Sequence, residues 1–446
     1  MTNSSVIDGN AFRVDDLAAL TPEDRDLVLR RMRVLGPSYR LFYRRPVHVV
    51  RGKGSYLYGP NGEEYLDAYN NVASIGHAHP AVVQAVHDQM AQLNTHSRYL
   101  QRGIVEYSEQ LLATFPDELA HVMFTNSGSE ANDLALRVAA KATGGTGIVV
   151  TREAYHGTSA AVAAISPAIG ADMLEPHVRT VEAPDSLRRT PSEGLGAWFA
   201  DQVRSAFADL RASGITPSAF IVDTIFASDG VLPDQSVLGP AVAAAREAGA
   251  VFIADEVQPG FGRTGAQFWG FARHGVTPDL ITLGKPMGNG MPVAAMVATD
   301  DVLHAFGTSV PYFNTFGGSS VPVAAARAVL DVIQSEGLAE HAEKLGARIL
   351  DDLNELGHHH PCIGDVRGAG MFHGVEIVSP GTTQPDAERT LAVVNRMRDR
   401  GVLLSVAGPH SNVLKIRPLL SYDDVDADRL VCTLATALDD TAKSAA

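Results

Sequence analysis

An aspartate and a lysine each end an apolar segment of this 446-residue chain, and their types and spacing suggest joint chemistry. Asp255 ends the run Val251–Asp255, and Lys285 follows the run Leu280–Leu283, 30 positions after Asp255. A lysine amine can bind the aldehyde carbon of pyridoxal phosphate, and a carboxylate can keep the pyridine nitrogen of that cofactor protonated. Either residue alone is commonplace, since an aspartate at a strand end is often a turn residue. Together they predict an enzyme that uses pyridoxal 5'-phosphate.

A Ser-Gly-Ser segment, Ser127, Gly128 and Ser129, follows a predicted strand that ends at Phe124. It precedes a predicted helix in which apolar residues recur at three- and four-residue spacing from Ala131 onwards. A helix N-terminus offers free N–H groups and the positive end of a dipole to a phosphate. The same pattern is also typical of a capped helix that binds no ligand. The segment is therefore a candidate phosphate site, with simple capping as the alternative.

Three further side chains lie in loops that could face such a cofactor. Tyr155 follows a predicted strand and could stack on a bound ring, although loop packing would explain it equally well. Gln258 comes three residues after Asp255 and could reach the ring oxygen. Thr315 lies in a polar, glycine-rich segment before a long predicted helix, which makes it either a second phosphate contact or an ordinary helix start. No metal site is predicted, because His358–His360 are expected in a loop without acidic or cysteine partners.

The segments around these residues predict an α/β fold. Five short, fully apolar strands alternate with helices, as expected when helices cover both faces of a mainly parallel sheet. These predicted strands are His121–Phe124, Gly147–Thr151, Ala219–Asp223, Val251–Asp255 and Leu280–Leu283. A hairpin over Arg51–Asp67 and shorter elements near the C-terminus predict a smaller α+β domain. We expect residues 1–75 to contribute to the small domain, 76–330 to form the large domain and 331–446 to complete the small one.

Composition and charge limit the classes of partner. The chain is 45% hydrophobic and 20% charged, and its formal net charge is -15. This acidic balance argues against nucleic acid or an anionic membrane as a general partner. Two cysteines give no disulfide framework, and no apolar stretch is long enough to cross a membrane. The first residues also lack the basic and apolar regions of a secretion signal. We expect a soluble, cytoplasmic protein.

Taken in order along the chain, these motifs resemble those of the class III, fold type I aminotransferase family over roughly residues 35–435. The resemblance implies a homodimer with shared active sites, and it leaves open whether two dimers form a tetramer. It implies that Lys285 binds the cofactor and moves a proton, and that Asp255 contacts the pyridine nitrogen. The remaining implied contacts are Tyr155 on the ring face, Gln258 near the ring oxygen, Ser127, Gly128 and Ser129 at the phosphate, and Thr315 at the phosphate of the neighbouring subunit.

Two positions depart from the usual aminotransferase pattern. Family members typically have an arginine three residues before a proline pair near the C-terminus, and here Lys415 precedes Pro418 by three. A gating glutamate is expected where this chain has Ser228. An ammonium is a compact charge that suits phosphate, and loss of the glutamate removes a charge that would repel a dianion. Both departures resemble the ethanolamine-phosphate and phosphohydroxylysine phospho-lyases of the family.

The sequence thus predicts a phospho-lyase that eliminates phosphate from a phosphorylated amine such as O-phosphoethanolamine, giving acetaldehyde, ammonia and phosphate. Lys415 is the expected phosphate anchor, and Arg44 and Asn70 are two further candidates for substrate binding. One alternative is an aminotransferase that requires a keto acid, in which Lys415 would be sequence drift. Another, a non-catalytic cofactor-binding protein, is disfavoured because Lys285 and Asp255 are both intact. The size of the substrate stays open.

Overall fold

The computed structural model describes residues 9–170 and 174–445. The expected absence of a secretion signal rests partly on residues 1–8, which lie outside the described residues. The strands are, in chain order, β1 (Arg51–Lys53), β2 (Tyr56–Tyr58), β3 (Glu64–Asp67), β4 (His121–Thr125), β5 (Gly147–Thr151), β6 (Val178–Val181), β7 (Pro217–Asp223), β8 (Val251–Asp255), β9 (Leu280–Leu283), β10 (Ala294–Ala298), β11 (Ile363–Ala369), β12 (Phe372–Ile377), β13 (Val402–Leu403), β14 (Ser405–Ala407) and β15 (Val413–Ile416).

The helices are α1 (Pro22–Leu35), α2 (Pro80–Gln92), α3 (Arg102–Leu112), α4 (Gly128–Thr143), α5 (Ala160–Ala163), α6 (Leu195–Ala212), α7 (Leu238–Glu247), α8 (Asp300–Gly307), α9 (Ser320–Ser335), α10 (Leu338–His359), α11 (Ala387–Asp399) and α12 (Asp424–Ala445). The loop expected at His358–His360 is wrong for its first two residues, which form the last turn of α10. Helix α10 continues through His359 and ends before Pro361, because the residue before a proline is disfavoured in the helical conformation.

A seven-stranded sheet forms the centre of the molecule, in the order β4-β10-β9-β8-β7-β5-β6. The pairs from β6 through β5, β7 and β8 to β9 are parallel, whereas β10 runs antiparallel to both of its neighbours. The predicted mainly parallel sheet is therefore confirmed. Strands β5, β8, β9 and β10 are buried along their whole length, because helices such as α4 and α6 pack against the sheet. Two of its strands, β6 and β10, were not among those predicted.

Two four-stranded sheets combine the ends of the chain. One has the order β1-β2-β3-β13, in which β13 from the C-terminal region pairs in parallel with β3. The expected single hairpin is thus a three-stranded meander, because turns at Gly54 and at Gly59–Gly62 reverse the chain twice. The other sheet has the order β11-β12-β15-β14 and is antiparallel throughout. The smaller α+β unit is thereby confirmed, whereas the domain boundaries at residues 75 and 330 stay a prediction.

Within the described residues, no helix is both long enough and apolar enough to span a membrane. The expected cytoplasmic location stays a prediction.

Candidate active site

The carboxyl ends of parallel strands β7 and β8 bring two aspartates together. Asp223 and Asp255 are the last residues of these strands and are opposite each other in the register. Side chains at the carboxyl edge of a parallel sheet line the crevice in which α/β proteins bind ligands. Lys285 lies just beyond the end of the next strand, β9. The sheet therefore presents two carboxyl groups and an amine at one edge.

Asp255 is buried and held by three hydrogen bonds. Its Oδ2 accepts from Asn132 Nδ2 at 3.0 Å and lies 2.7 Å from His156 Nδ1, and its Oδ1 accepts from Val257 N at 3.1 Å. Asn132 is itself fixed, because Thr282 Oγ1 donates to Asn132 Oδ1 at 2.7 Å. These contacts orient the carboxylate and leave further lone pairs free to accept from a ligand.

Lys285 has a constrained backbone and an unusual environment. It follows Gly284 and has a φ of 32°, in the left-handed region that non-glycine residues rarely adopt. Such strain persists where the surrounding structure imposes it, often at functional sites. The side chain is only partly exposed, and burial lowers the pKa of its ammonium below the ordinary value, although the charge of Asp255 acts in the opposite direction. A larger fraction of this lysine is therefore neutral than of a surface lysine.

The Ser-Gly-Ser segment begins helix α4, as predicted. Ser127 is the N-cap residue, and its Oγ accepts from Glu130 N at 3.2 Å. Within the part of the chain that the structure describes, the N–H groups of Gly128 and Ser129 have no acceptor. A Cβ on Gly284 would lie 3.3 Å from Gly128 N, so the lysine loop and the helix start are packed closely together. The helix N-terminus therefore points free N–H groups into the region of Lys285.

These residues fit pyridoxal phosphate. The free N–H groups of Gly128 and Ser129 can hold its phosphate, Lys285 its aldehyde carbon and Asp255 its ring nitrogen. Tyr155, the predicted ring-stacking residue, is half-buried, and burial raises the pKa of its hydroxyl with smaller contributions from Tyr69 and Asp255. Tyr155 therefore lies near the carboxylate that would hold the ring.

Gln258 connects two further residues of this cleft. Its Nε2 donates to Asp223 Oδ2 at 3.1 Å, and its Oε1 accepts from Arg417 Nη1 at 2.8 Å. The backbone oxygen of Gln258 accepts from Asn71 Nδ2 at 3.0 Å. Both ends of the amide are thus engaged by protein groups, with one Nε2 proton left over. The predicted contact of Gln258 with the cofactor ring oxygen stays a prediction, and it would have to use that proton.

The end of strand β15 brings two buried cations to the same region, Lys415 on the strand and Arg417 directly after its last residue. Lys415 is 8% exposed and Arg417 is 4% exposed, and as residues i and i+2 their side chains are on one face of the extended chain. The Nζ atom of Lys415 and the Cζ atom of Arg417 each lie 5.7 Å from the centre of the Phe372 ring. Neither cation has a carboxylate within 4.0 Å among the described residues, and Arg417 Nε is buried without a partner. Buried charges are usually paired, so these two side chains are a candidate site for an anion.

The burial of these groups and the charges beside them shift their pKa values. Burial lowers the pKa of Lys415 well below its ordinary value, and the Arg417 charge lowers it further. Burial and the neighbouring Asp255 charge raise the pKa of Asp223 to about 6, while Lys415 partly opposes that shift. Each group is thus held in a less charged state than it would have in water, and an arriving anion would stabilise the charged ammonium.

The other two predicted substrate residues, Arg44 and Asn70, lie in loops. Arg44 is exposed, its N–H donates to Asn395 Oδ1 at 2.8 Å, and it lines two surface cavities that do not include Lys285, Asp255 or Lys415. Asn70 is half-buried, and its Oδ1 accepts from Val72 N at 2.9 Å.

Two other positions named from the sequence, Thr315 and Ser228, lie in loops. Thr315 is exposed between Phe313 and Phe316, which are 42% and 68% exposed. Ser228 is half-buried, and its backbone oxygen accepts from Gly408 N at 3.0 Å.

Sequence reasoning did not assign a role to four residues that the structure brings into the cleft, namely Asn132, His156, Asp223 and Arg417. Asp223 ends an apolar strand in the same way as Asp255, so that pattern could have identified it. Arg417 is two residues from Lys415, and the period of a strand could have indicated the shared face. Asn132 and His156 have no such signal, because only tertiary packing brings them to Asp255.

The comparisons with known proteins agree with this geometry. The family model described as "Aminotransferase class-III" matches residues 42–438. The chain is 39% identical over 412 residues to "Alanine--glyoxylate aminotransferase 2-like" of Drosophila melanogaster, covering 89% of this chain and 83% of that protein. It is 35% identical over 447 residues to "Ethanolamine-phosphate phospho-lyase homolog 1" of Caenorhabditis elegans, covering 95% of each.

A solved structure of a phospholyase from Arthrobacter in complex with phosphoethanolamine has a TM-score of 0.89 and 41% identity, covering 93% of this chain and 99% of that one. The predicted fold type I and the predicted cofactor are therefore confirmed. The chain belongs to the class III aminotransferase family of pyridoxal phosphate-dependent enzymes.

Proposed function

We propose that this enzyme is a phospho-lyase that eliminates phosphate from O-phosphoethanolamine, giving acetaldehyde, ammonia and phosphate. The observation that carries the proposal is the pair of buried cations Lys415 and Arg417, which face the cleft without a carboxylate within 4.0 Å among the described residues. Two positive charges match a phosphate dianion better than they match a single carboxylate. An arginine fork adds two parallel N–H donors for phosphate oxygens.

The relatives support the same substrate class. The Arthrobacter phospholyase at 41% identity was solved with phosphoethanolamine, and a second relative at 35% identity is described as an ethanolamine-phosphate phospho-lyase homologue. The absence of a glutamate at Ser228 also favours a dianionic group, because a carboxylate there would compete for the cations.

Each residue of the site would have a separate role in the proposed reaction. Lys415 and Arg417 hold the phosphate and so orient the carbon that carries the amine towards Lys285. Lys285, whose pKa is lowered by burial, accepts the proton from that carbon. When bound, pyridoxal phosphate withdraws electrons from this carbon and makes its proton acidic. Asp255, fixed by Asn132 and His156, keeps a negative charge beside the cofactor ring nitrogen. Lys415 and Arg417 then stabilise the phosphate as it leaves.

An aminotransferase that acts on an amine or amino acid with a keto-acid acceptor is the alternative. It is favoured by the 39% identity to a relative described as an alanine–glyoxylate aminotransferase 2-like protein. In that reaction Arg417 would bind a carboxylate, and Lys415 would have no evident partner. The two reactions differ in whether phosphate is released and in whether a keto acid is needed.

We also infer a homodimer in which Thr315 completes the phosphate site of the neighbouring subunit. Thr315 is exposed, and the large apolar side chains of Phe313 and Phe316 beside it are also exposed. Exposed aromatic side chains around a polar residue are typical of a protein interface. A cytoplasmic location and the three-part domain division belong to the same proposal.

The test is release of inorganic phosphate and acetaldehyde from O-phosphoethanolamine by the cofactor-loaded enzyme without any keto acid. We expect both products in equal amounts. Lys415→Ala should lose this activity and keep the absorbance of the bound cofactor, whereas Lys415→Arg should retain part of it. Absence of phosphate release, together with amino-group transfer after addition of pyruvate or 2-oxoglutarate, would overturn the proposal in favour of an aminotransferase.

A further inference from the structure

Elimination of phosphate requires a proton on the leaving group, and Lys415 and Arg417 are poorly suited to supply it. When the C–O bond breaks, its electron pair stays on the oxygen. An ester that binds as the dianion would depart as a trianion, unless a proton reaches that oxygen. Arg417 keeps its protons at any ordinary pH, and a proton taken from Lys415 would remove the charge that holds the phosphate. A separate acid beside the two cations would meet the requirement.

Hydrogen bonds link the carboxyl group of Asp223 to the candidate anion site. A single amide joins it to Arg417, because Gln258 Nε2 donates to Asp223 Oδ2 at 3.1 Å and Gln258 Oε1 accepts from Arg417 Nη1 at 2.8 Å. The other oxygen of Asp223 accepts from Ile225 N at 3.0 Å. No cation of the described residues lies within 4.0 Å of this carboxyl group, so nothing holds it in the charged form by direct pairing.

Burial and the charge of Asp255 favour the neutral form of Asp223, whereas the charges of Lys415 and His156 favour its charged form. The charged and titratable groups that interact with it are Asp255, Glu256, Asp229, His156, Lys285, Lys415 and Arg417. Burial and then Asp255 raise the pKa of Asp223 to about 6. A phosphate dianion bound to Lys415 and Arg417 would add negative charge nearby and raise this pKa further. Binding of the phosphate should therefore be accompanied by uptake of a proton.

We propose that Asp223 carries a proton while the phosphate is bound and donates it to the departing oxygen, an inference that rests on the phospho-lyase function proposed above. The amine of Lys285 accepts the proton of the C–H bond, and the electron pair of that bond forms the carbon–carbon double bond. The C–O bond breaks with its electron pair on oxygen, and the Asp223 proton joins the leaving group as hydrogen phosphate. Asp223 is left as a carboxylate and takes a proton from solvent after the product departs.

The decisive experiment compares two esters in wild type, Asp223→Asn and Asp223→Glu. O-phosphoethanolamine needs a proton on its leaving group, whereas 2-aminoethyl hydrogen sulfate releases sulfate without one. We expect Asp223→Asn to lower kcat for phosphate release by ~100-fold, as is usual for loss of a general acid, and to leave sulfate release within ~3-fold. Asp223→Glu should restore most of the phosphate release. The absorbance of the bound cofactor should be the same in all three proteins.

Asp229→Asn is the matched control. Asp229 is also buried, and burial raises its pKa to about 7. Its carboxyl group accepts hydrogen bonds from Thr151 Oγ1, on β5, and from Glu153 N, in the loop after β5. Asp229 also influences the charge of Lys415, but its replacement removes no proton donor from the leaving group, so kcat for phosphate release and kcat for sulfate release should change by similar factors. Equal losses on both esters in Asp223→Asn, or undiminished phosphate release, would overturn the role of Asp223.

Binding of inorganic phosphate provides a readout that does not depend on turnover. Calorimetry at pH 7.5 in buffers of different ionisation enthalpy counts the protons taken up. Wild type should take up more protons than Asp223→Asn, and equal uptake would overturn the inference. Failure of the proposed function is recognised separately, since wild type itself would then release no phosphate from O-phosphoethanolamine.

Discussion

Arg417 Nη1 donates a hydrogen bond to Gln258 Oε1 at 2.8 Å, and this bond joins the segment directly after strand β15 to the loop after Asp255. The guanidinium also lies over the ring of Tyr69, with 4.5 Å between its Cζ atom and the ring centre. An arginine held on one side by an amide and on one face by an aromatic ring keeps a fixed orientation. Its free N–H groups are therefore preorganised for an anion in the cleft.

Arg417→Met should raise the KM for O-phosphoethanolamine by ~10- to 100-fold, because a hydrogen bond to a charged group contributes ~1.5–3 kcal/mol. Arg417→Lys should give an intermediate KM, since it keeps the charge and loses the fork. Steady-state kinetics at saturating cofactor measures the effect, and an unchanged cofactor absorbance shows that the site is intact. A wild-type KM in Arg417→Met would exclude Arg417 from substrate binding.

Ser228→Glu should impair the enzyme through charge alone. Asp229, the next residue, already influences the pKa of Lys415, so a carboxylate at position 228 would act on the same site. It would attract Lys415 and repel the phosphate, and like charges brought together cost several kcal/mol. We expect the KM for O-phosphoethanolamine to rise ~10-fold or more.

Ser228→Gln is the control for size, since it adds the same number of atoms without the charge. Its KM should stay near that of wild type. If the Gln and Glu variants have equal KM values, then charge at this position does not select the substrate.

Local sequence patterns indicate the positions of the candidate cofactor residues more directly than the position of Arg417. Asp255 ends strand β8, and Lys285 and Ser127 each come two residues after the end of a strand, so the sequence indicates their place at the sheet edge. Arg417, by contrast, is 159 residues from Gln258 along the chain, and only tertiary packing creates that bond. Strand β10 was missed for another reason. Its sequence, Ala294–Ala298, contains three alanines, which have low strand propensity, and burial between β4 and β9 overrides that preference.

Gly157→Ala should weaken cofactor binding. Gly157 has a φ of 136°, and a Cβ there would lie 2.3 Å from Ser129 Oγ and 2.8 Å from Ser129 Cα. The methyl group would push Ser129 and the first turn of α4 away from Thr158, whose N–H donates to Ser129 Oγ at 3.0 Å. Overpacking of this kind costs ~1–3 kcal/mol, which corresponds to a ~5- to 150-fold higher Kd for pyridoxal phosphate. Absorbance titration of the apoprotein measures this Kd.

Gly170→Ala is the control for backbone strain. Gly170 has a φ of 142°, close to that of Gly157, but a Cβ there would have no heavy atom of the described residues within 4 Å, its chain neighbours aside. Both variants therefore carry a strained alanine, and only Gly157→Ala displaces Ser129. A similar Kd in the two variants would show that the start of α4 does not hold the cofactor phosphate.

His373→Leu should stabilise the protein, and more so in acid. His373 on β12 is fully buried, both of its ring nitrogens lack a partner among the described residues, and burial lowers its pKa to about 3. The unfolded chain binds a proton at this histidine below pH 6.5, whereas the folded protein does not until about pH 3. The free energy of unfolding therefore falls as the pH drops through this window.

Replacement by leucine removes both the proton linkage and a buried, unpaired polar group. At pH 8 only the second effect acts, and we expect a gain of ~1 kcal/mol, because an unsatisfied buried group costs ~1–3 kcal/mol and leucine does not reproduce the ring shape. At pH 5 the linkage adds ~2 kcal/mol, since one pKa unit corresponds to ~1.4 kcal/mol. Thermal denaturation of both proteins at the two pH values measures the difference. An equal shift of Tm at pH 5 and pH 8 would mean that His373 is protonated in the fold, and that the interior around β12 admits water.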